Sequence, residues 1–330
     1  LSDDQGWRVE IKKYPLLTEK SGWRKFNNHD RGCLNLAKKE NNPDYLLPQK
    51  RLKVVEGDTL YGGFYTQEDV REIVSYAAER GIDVIPEIDM PGHFSAAILA
   101  YPELSCFNKA SWGHTFSAPI CPGKDKTVEF CQDIFTEIFE LFPYQYVHMG
   151  ADEVEKDNWI KCPNCQKRIR QEKLKDEKEL QSWFVREMKK FFDQNGKKLI
   201  GWDEIIEGGL PEGATVMWWR TWSRNAVQTA TSKGSEVILA PNSHYYFDYQ
   251  QDYSPLQKLY EFNPVPEGLS PEQKKLPIGV QANHWADWIP SFHRLPFMSV
   301  PRLLALSAVA WRQDSVRRCE AFYHRLILHF

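Results

Sequence analysis

The sequence predicts an α/β fold, a (β/α)8-type barrel, and three observations carry that expectation. From residue 60 onward, helical and strand periods alternate. Run after run ends in acids, histidine or tryptophan at its C-terminal edge. No strand is followed by a glycine-rich phosphate turn, which weakens a nucleotide-binding doubly wound sheet as the rival. Alternating strands and helices imply right-handed βαβ units and a parallel sheet. Polar strand ends are what loops above a barrel use to build one shared site.

Taken in order, Leu1-Ser2 reads as the tail of a strand. Thr66-Gln67-Glu68-Asp69 is a capping-box signal. It opens a helix with Val70, Ile73, Val74, Ala77 and Ala78 at helical spacing and Gly81 as its stop. The apolar run 84–88 follows and ends in Asp89. A helix over 127–141, with Ile134, Ile138 and Leu141 on one face, leads into the strand 146–150, which ends in Asp152-Glu153. Another helix, over 180–192, precedes the strand 198–202, which ends in Asp203-Glu204. Strand-like runs over 215–219, 236–240 and 278–282 come next. An apolar helix starting near Pro301 carries Leu303, Leu304, Leu306 and Val309. The first strand of such a barrel is not in the chain. Residues 1–330 read as one catalytic barrel domain that is incomplete at its N-terminal side. The sequence starts at Leu1 without an initiator Met, and the natural protein is expected to continue upstream.

Composition narrows the function. The net charge is −3 with acids and bases interspersed, so nothing suggests a nucleic-acid footprint. The charged stretch 168–178 mixes both signs and reads as a solvated face. The longest apolar runs are strand-length, which excludes a membrane-spanning helix. Twelve tryptophans and fourteen tyrosines offer flat amphipathic surface that packs on sugar rings as well as in cores. Of the seven cysteines, Cys162 and Cys165 form a lone CxxC without a matching second pair, which lends a zinc site little support. Cys106 and Cys121 flank a loop-like stretch and would pair in an oxidising compartment, with buried free thiols as the plain alternative. No metal and no cofactor is expected.

The chemistry concentrates at Asp152-Glu153. Cleaving a glycosidic bond needs a carboxylic acid to protonate the leaving oxygen and a negative group to stabilise the oxocarbenium-like centre. Two carboxyls just beyond a strand end can both reach a cleft where the backbone turns, and Gly150 and Ala151 leave room for a ligand. An Asp-Glu dipeptide by itself is as easily a solvated surface pair.

The neighbouring blocks carry a resemblance. The runs 1–8 (LSDDQGWR), 87–93 (EIDMPGH) and 148–153 (HMGADE) resemble motifs of glycoside hydrolase family 20, the β-N-acetylhexosaminidases. So do Gly201-Trp202, Trp218-Trp219, the run 245–248 (YYFD) and the run 279–285 (GVQANHW), all in the family's order. The resemblance implies a retaining, exo-acting hydrolase of terminal β-linked N-acetylhexosamines. Its catalysis is substrate-assisted: the substrate's own 2-acetamido oxygen attacks the anomeric carbon to give an oxazolinium intermediate. Carried over by position, Glu153 is the general acid and then base, and Asp152 holds the acetamido N–H. Tyr246 donates a hydrogen bond to the acetamido oxygen. Trp202, Trp219 and Trp285 wall the sugar, Asp248 binds ring hydroxyls, and Asp3 with His93 forms an Asp–His pair beside the acid. The partner implied is a carbohydrate, in a periplasmic, secreted or lysosome-like compartment; a homodimer stays open.

Departures from the pattern are visible. Asp287 stands where the family usually has a Glu, one methylene longer, so its grip on the outer sugar hydroxyls is an open question. His284 is polar where the family is apolar, and Ala151 replaces a common Gly. The family's sugar-binding Arg belongs to the absent first strand. Two rival readings remain at this point. One is a catalytically impaired sugar-binding barrel. The other is a metal-dependent hydrolase on Asp89, His93, Asp152 and Glu153, which lack a compact ligand motif. His93 also reads as a cap or loop residue, Trp202 and Trp219 as barrel filling, and Asp203-Glu204 as supporting structure.

Overall fold

Thr66 closes the capping box that its spacing predicts. Its hydroxyl accepts the Asp69 N–H at 3.1 Å, and the Asp69 carboxylate accepts the Thr66 N–H at 2.7 Å. The helix Gln67–Ala78 starts there. Asn27 and Asp30 make the same reciprocal pair at the head of the helix Asn28–Lys39. Each cap contributes on the order of 1 kcal/mol. The apolar stripe behind Thr66 is a different matter. Only Val70 is buried, and Ile73 stays 42% exposed. Helical spacing is local, whereas a partner for the helix face must come from elsewhere in the fold.

The computed structural model describes residues 1–312 and 317–329. Its contacts divide the chain into two compact units, Leu1–Lys25 with Lys53–Val216, and Phe26–Leu52 with Met217–Phe330.

In the first unit, the strands Tyr146–His148 and Lys198–Trp202 pair in parallel, with Tyr146 opposite Lys198 and His148 opposite Ile200. The helices Asp125–Leu141 and Glu177–Gln194 precede them, each a few residues longer than its apolar pattern alone marks. Their apolar faces supply Phe135, Ile138, Phe184, Met188 and Phe192, all fully buried, as are Val147, Leu199 and Ile200. The run 84–88 is not a continuous strand. It contributes a parallel bridge between Glu87 and His148, flanked by Ile88 N–H to His148 O (3.1 Å) and Met90 N–H to Met149 O (3.0 Å). Pro86 lacks a backbone N–H, which limits the ladder on that side. Ser2–Asp3 pairs antiparallel with Gly6–Trp7, and the Leu1 amine donates to Glu87 O at 2.8 Å.

In the second unit, Val237–Leu239 pairs in parallel with Pro277–Val280, with a register shift between Pro277 and Gly279. A parallel bridge joins Tyr246 to Asn283. Tyr245, Phe247, Leu259, Tyr260, Ala305 and Phe322 form the core. Arg302, at the head of the helix Arg302–Trp311, is buried and donates to the carbonyls of Phe247 (2.7 Å) and Tyr249 (3.1 Å). Burial lowers its guanidinium to about 10, yet those carbonyls satisfy it and pin the Tyr246–Tyr249 turn.

Candidate active site

The strand Tyr146–His148 delivers Gly150 to Glu153 to a sharply bent segment. Gly150, Ala151 and Glu153 have φ of 70°, 75° and 49°, and His93 has 48°. Left-handed non-glycine residues cost roughly 1–3 kcal/mol each and gather where function requires them. Gly150 is obligatory: a Cβ there would lie 1.9 Å from Asp89 Oδ1, the oxygen that accepts the Ala151 N–H at 3.0 Å.

His93 is the hub. Its Nδ1 hydrogen-bonds Asp4 Oδ2 at 3.2 Å, while Asp3 Oδ1 stands at 3.7 Å. Its Nε2 faces Glu153 Oε2 at 3.2 Å and Asp152 Oδ2 at 3.8 Å. Burial opposes charge on the ring, but the hydrogen bonds to Asp4 and Glu153 outweigh it and hold the imidazole protonated well above its ordinary range. Asp4, also buried, is nevertheless kept below the usual carboxylate range by its hydrogen bonds from His93, Ser117 and Ser95. Asp152 and Asp89 go the other way. Burial raises both, and the charge of Asp152 pushes Asp89 further up. Asp152 Oδ1 is buried and meets no nitrogen or hydroxyl donor among the described residues, while the Asp89 carboxyl, raised toward its protonated form, hydrogen-bonds the Asp152 carboxylate. Trp202 is buried, donates to Glu87 Oε1 at 2.9 Å and sets its ring edge-on to His148.

Asp89, His93 and Asp152 come within 4.8 Å of one another, close enough to hold a cation. Both His93 nitrogens, however, face carboxylates as donors. An imidazolium has no lone pair for a metal.

The second unit carries the other candidate residues. Tyr246 lies parallel to Trp219 with ring centroids 6.2 Å apart and edge-on to Trp285 at 5.8 Å. Asp248 is buried, and its Oδ1 has no partner among the described residues. Desolvation raises its carboxyl to about 6, with a further push from the charge of Asp287. Asp287 is more open and lies 3.6 Å from His29 Nδ1.

These features coincide with a sequence-wide match: residues 1–314 fit the glycosyl hydrolase family 20 catalytic domain. The chain belongs to that family. Relatives of the chain include a beta-hexosaminidase of Porphyromonas gingivalis, 40% identical over 99% of this chain and 40% of that protein. A beta-hexosaminidase of Vibrio furnissii is 35% identical over 93% of this chain and 50% of that protein. Among solved structures, the Vibrio harveyi GH20 exo beta-N-acetylglucosaminidase in complex with N-acetylglucosamine matches with a TM-score of 0.82 at 32% identity. It covers 100% of this chain and 51% of that one. The Bacteroides fragilis beta-N-acetylhexosaminidase matches with a TM-score of 0.76 at 32% identity, over 99% of this chain and 62% of that one. The chain thus spans about half the length of these relatives. Membership gives the α/β, (β/α)8-barrel fold class that the alternation of elements predicts.

Within the family 20 chain, the structure brings Asp3, His93, Asp152 and Glu153 into one network. Sequence reading does not single out Asp4, Ser95 or Ser117, although Asp4 adjoins Asp3 in the same motif. Only the fold decides which of two adjacent aspartates meets the ring. Of the two cysteine readings, the structure has the buried free thiols, and it supplies the second pair that the CxxC lacks in sequence. Cys106, Cys121, Cys162 and Cys165 are all unbonded thiols in one cluster. The partner of the lone CxxC is a pair separated by fifteen positions, which no local motif reveals.

Proposed function

We propose that the protein is an exo-acting retaining hydrolase of terminal β-linked N-acetylhexosamines, working through the substrate's own acetamide. Family membership and the HMGADE segment support the substrate class. The observation that supports the mechanism is the buried Asp152 carboxylate beside a protonated His93, with an Oδ1 that no nitrogen or hydroxyl donor of the described residues reaches. An acetamido N–H donated to that oxygen orients the acetamide carbonyl toward the anomeric carbon. Positive charge developing on the nitrogen then raises the value of the Asp152 carboxylate in the transition state. Glu153 gives its proton to the leaving oxygen and later takes one from water. His93, held by Asp4, fixes the Glu153 side chain and keeps a positive charge within the acidic cluster. Tyr246 donates to the acetamide oxygen. Trp202, Trp219 and Trp285 pack on the sugar, and Asp248 and Asp287 take its hydroxyls. A periplasmic, secreted or lysosome-like compartment fits this reading, and no helix among the described residues is long and apolar enough to cross a membrane.

Turnover of an aryl N-acetylglucosaminide beside the matching glucoside tests the reading. The acetamide-bearing substrate should be cleaved and the glucoside left nearly intact, because the glucoside brings no nucleophile. Intact mass after treatment with a 2-fluoro glycoside is the second arm, and a stable glycosyl ester on Asp152 would overturn acetamide participation. Binding of the sugar without turnover would instead favour the impaired sugar-binding barrel.

A further inference from the structure

Four sulfurs of the first unit take no part in this chemistry. Cys106 and Cys121 bound the loop between Pro102–Leu104 and the helix Asp125–Leu141. Cys162 ends the helix Asp157–Lys161, and Cys165 lies in the first turn of Pro163–Gln171. Their Sγ atoms stand 3.5 Å (Cys121–Cys165), 3.6 Å (Cys121–Cys162) and 3.7 Å (Cys106–Cys165) apart, and all lie within 4.8 Å of one another. A disulfide requires sulfurs about 2.0 Å apart. Four thiolates around zinc, each at about 2.3 Å, define a tetrahedron with edges of about 3.8 Å. We propose that Cys106, Cys121, Cys162 and Cys165 bind one zinc ion in a closed structural site.

The surroundings are built for it. All four residues are buried. The Cys165 backbone N–H hydrogen-bonds the Cys162 sulfur, the kind of outer contact that orients and tunes a thiolate ligand. The turn at Cys121-Pro122-Gly123 packs directly onto the Pro163–Cys165 turn: a Cβ on Gly123 would lie 2.3 Å from the Asn164 backbone carbon. Lys124 donates to the carbonyls of Glu103 (2.8 Å) and Ser105 (2.7 Å) and so ties down the segment that leads into Cys106. Binding exchanges the four thiol protons for the ion and transfers no electrons. Four soft sulfur ligands in a tetrahedron suit zinc, with iron as the chemical rival.

The site gives the catalytic network a foundation. The loop that it closes carries Ser117, whose hydroxyl donates to Asp4 at 2.6 Å, and Phe116, whose ring meets His93. Trp159, just before Cys162, donates to Ile120 O at 2.9 Å and ties the two ligand segments together. The zinc site acts at a distance by positioning and never touches substrate.

The test uses the full chain, purified under reducing conditions without chelators. Metal analysis should find one zinc per chain, released in step with thiol modification by a mercurial. Cobalt exchanged into the protein should give the thiolate charge-transfer and red d–d bands of a tetrahedral sulfur site. Cys121→Ser with Cys162→Ser should lose the metal, while Cys319→Ser, outside the cluster, should keep both metal and activity. The wild-type measurement decides even if the double variant fails to fold. In a second preparation made without reductant, a wild-type mass lighter by the four thiol hydrogens would mean two disulfides and overturn the site, as would four freely reactive thiols without metal in the reduced one. A red, iron-loaded protein would overturn the choice of zinc.

Discussion

Asp152 in the first unit and Asp248 in the second share three properties and diverge in a fourth. Both are largely shielded from solvent, both are pushed up by burial, and both keep an Oδ1 that no nitrogen or hydroxyl donor of the described residues reaches. They differ in what stands beside the carboxyl. Asp152 has the protonated His93 ring 3.8 Å away, pulling it back toward the charged form. Asp248 is drawn back by its own backbone N–H and, more modestly, by Arg302, while Asp287 pushes it further from ionisation. A buried carboxylate matched by a cation stabilises charge that appears during a reaction. One without such a match is suited to hydrogen bonds with neutral hydroxyls. In the proposed function the same side chain would therefore serve chemistry in one region and recognition in the other.

The largest expected effect tests the charged side. Glu153→Gln keeps the shape and removes the transferable proton, so kcat should fall by about 10²–10⁴ on substrates with poor leaving groups. Activated aryl glycosides need less protonation and should lose less. Equal losses along a leaving-group series would remove Glu153 from the acid role.

Asp152→Asn should come next, lowering kcat by about 10²–10³ while KM moves little, because its charge matters most in the transition state. A change confined to KM would put Asp152 with the recognition residues and collapse the comparison.

On the recognition side, Asp287→Glu restores the methylene that the family usually carries. The ratio of kcat/KM for N-acetylglucosaminides over N-acetylgalactosaminides should change by about tenfold, the scale of one methylene in a pocket. An unchanged ratio would place Asp287 outside the sugar's reach.

The smallest effect is read in stability. Asp248 has its carboxyl raised from 3.8 to about 6, so the folded state binds its proton more tightly than the unfolded chain does. That contribution is full below 3.8 and is lost as pH rises through about 6. Asp248→Asn should flatten this part of the Tm-versus-pH curve between those limits. Parallel curves for wild type and variant would show that Asp248 ionises freely and is not the uncompensated carboxylate described.

Much was legible in the residues themselves, for reasons that are local. The capping box at Thr66 needs only three residues of separation, and the helical stripe at Ile134, Ile138 and Leu141 needs only one face. The parallel strands follow from short apolar runs between helices. The Asp-Glu pair, His93 and the aromatic blocks were recognisable because their motifs are contiguous. Tertiary structure decided what depends on residues far apart in the chain. It put Asp4 rather than Asp3 in hydrogen-bond contact with His93 and left Ile73 without a cover. It joined Cys106 and Cys121 to a CxxC that begins 41 residues after Cys121. Local spacing sets the direction in which a side chain leaves the backbone; only the folded chain sets what it meets, and burial and charge follow from that.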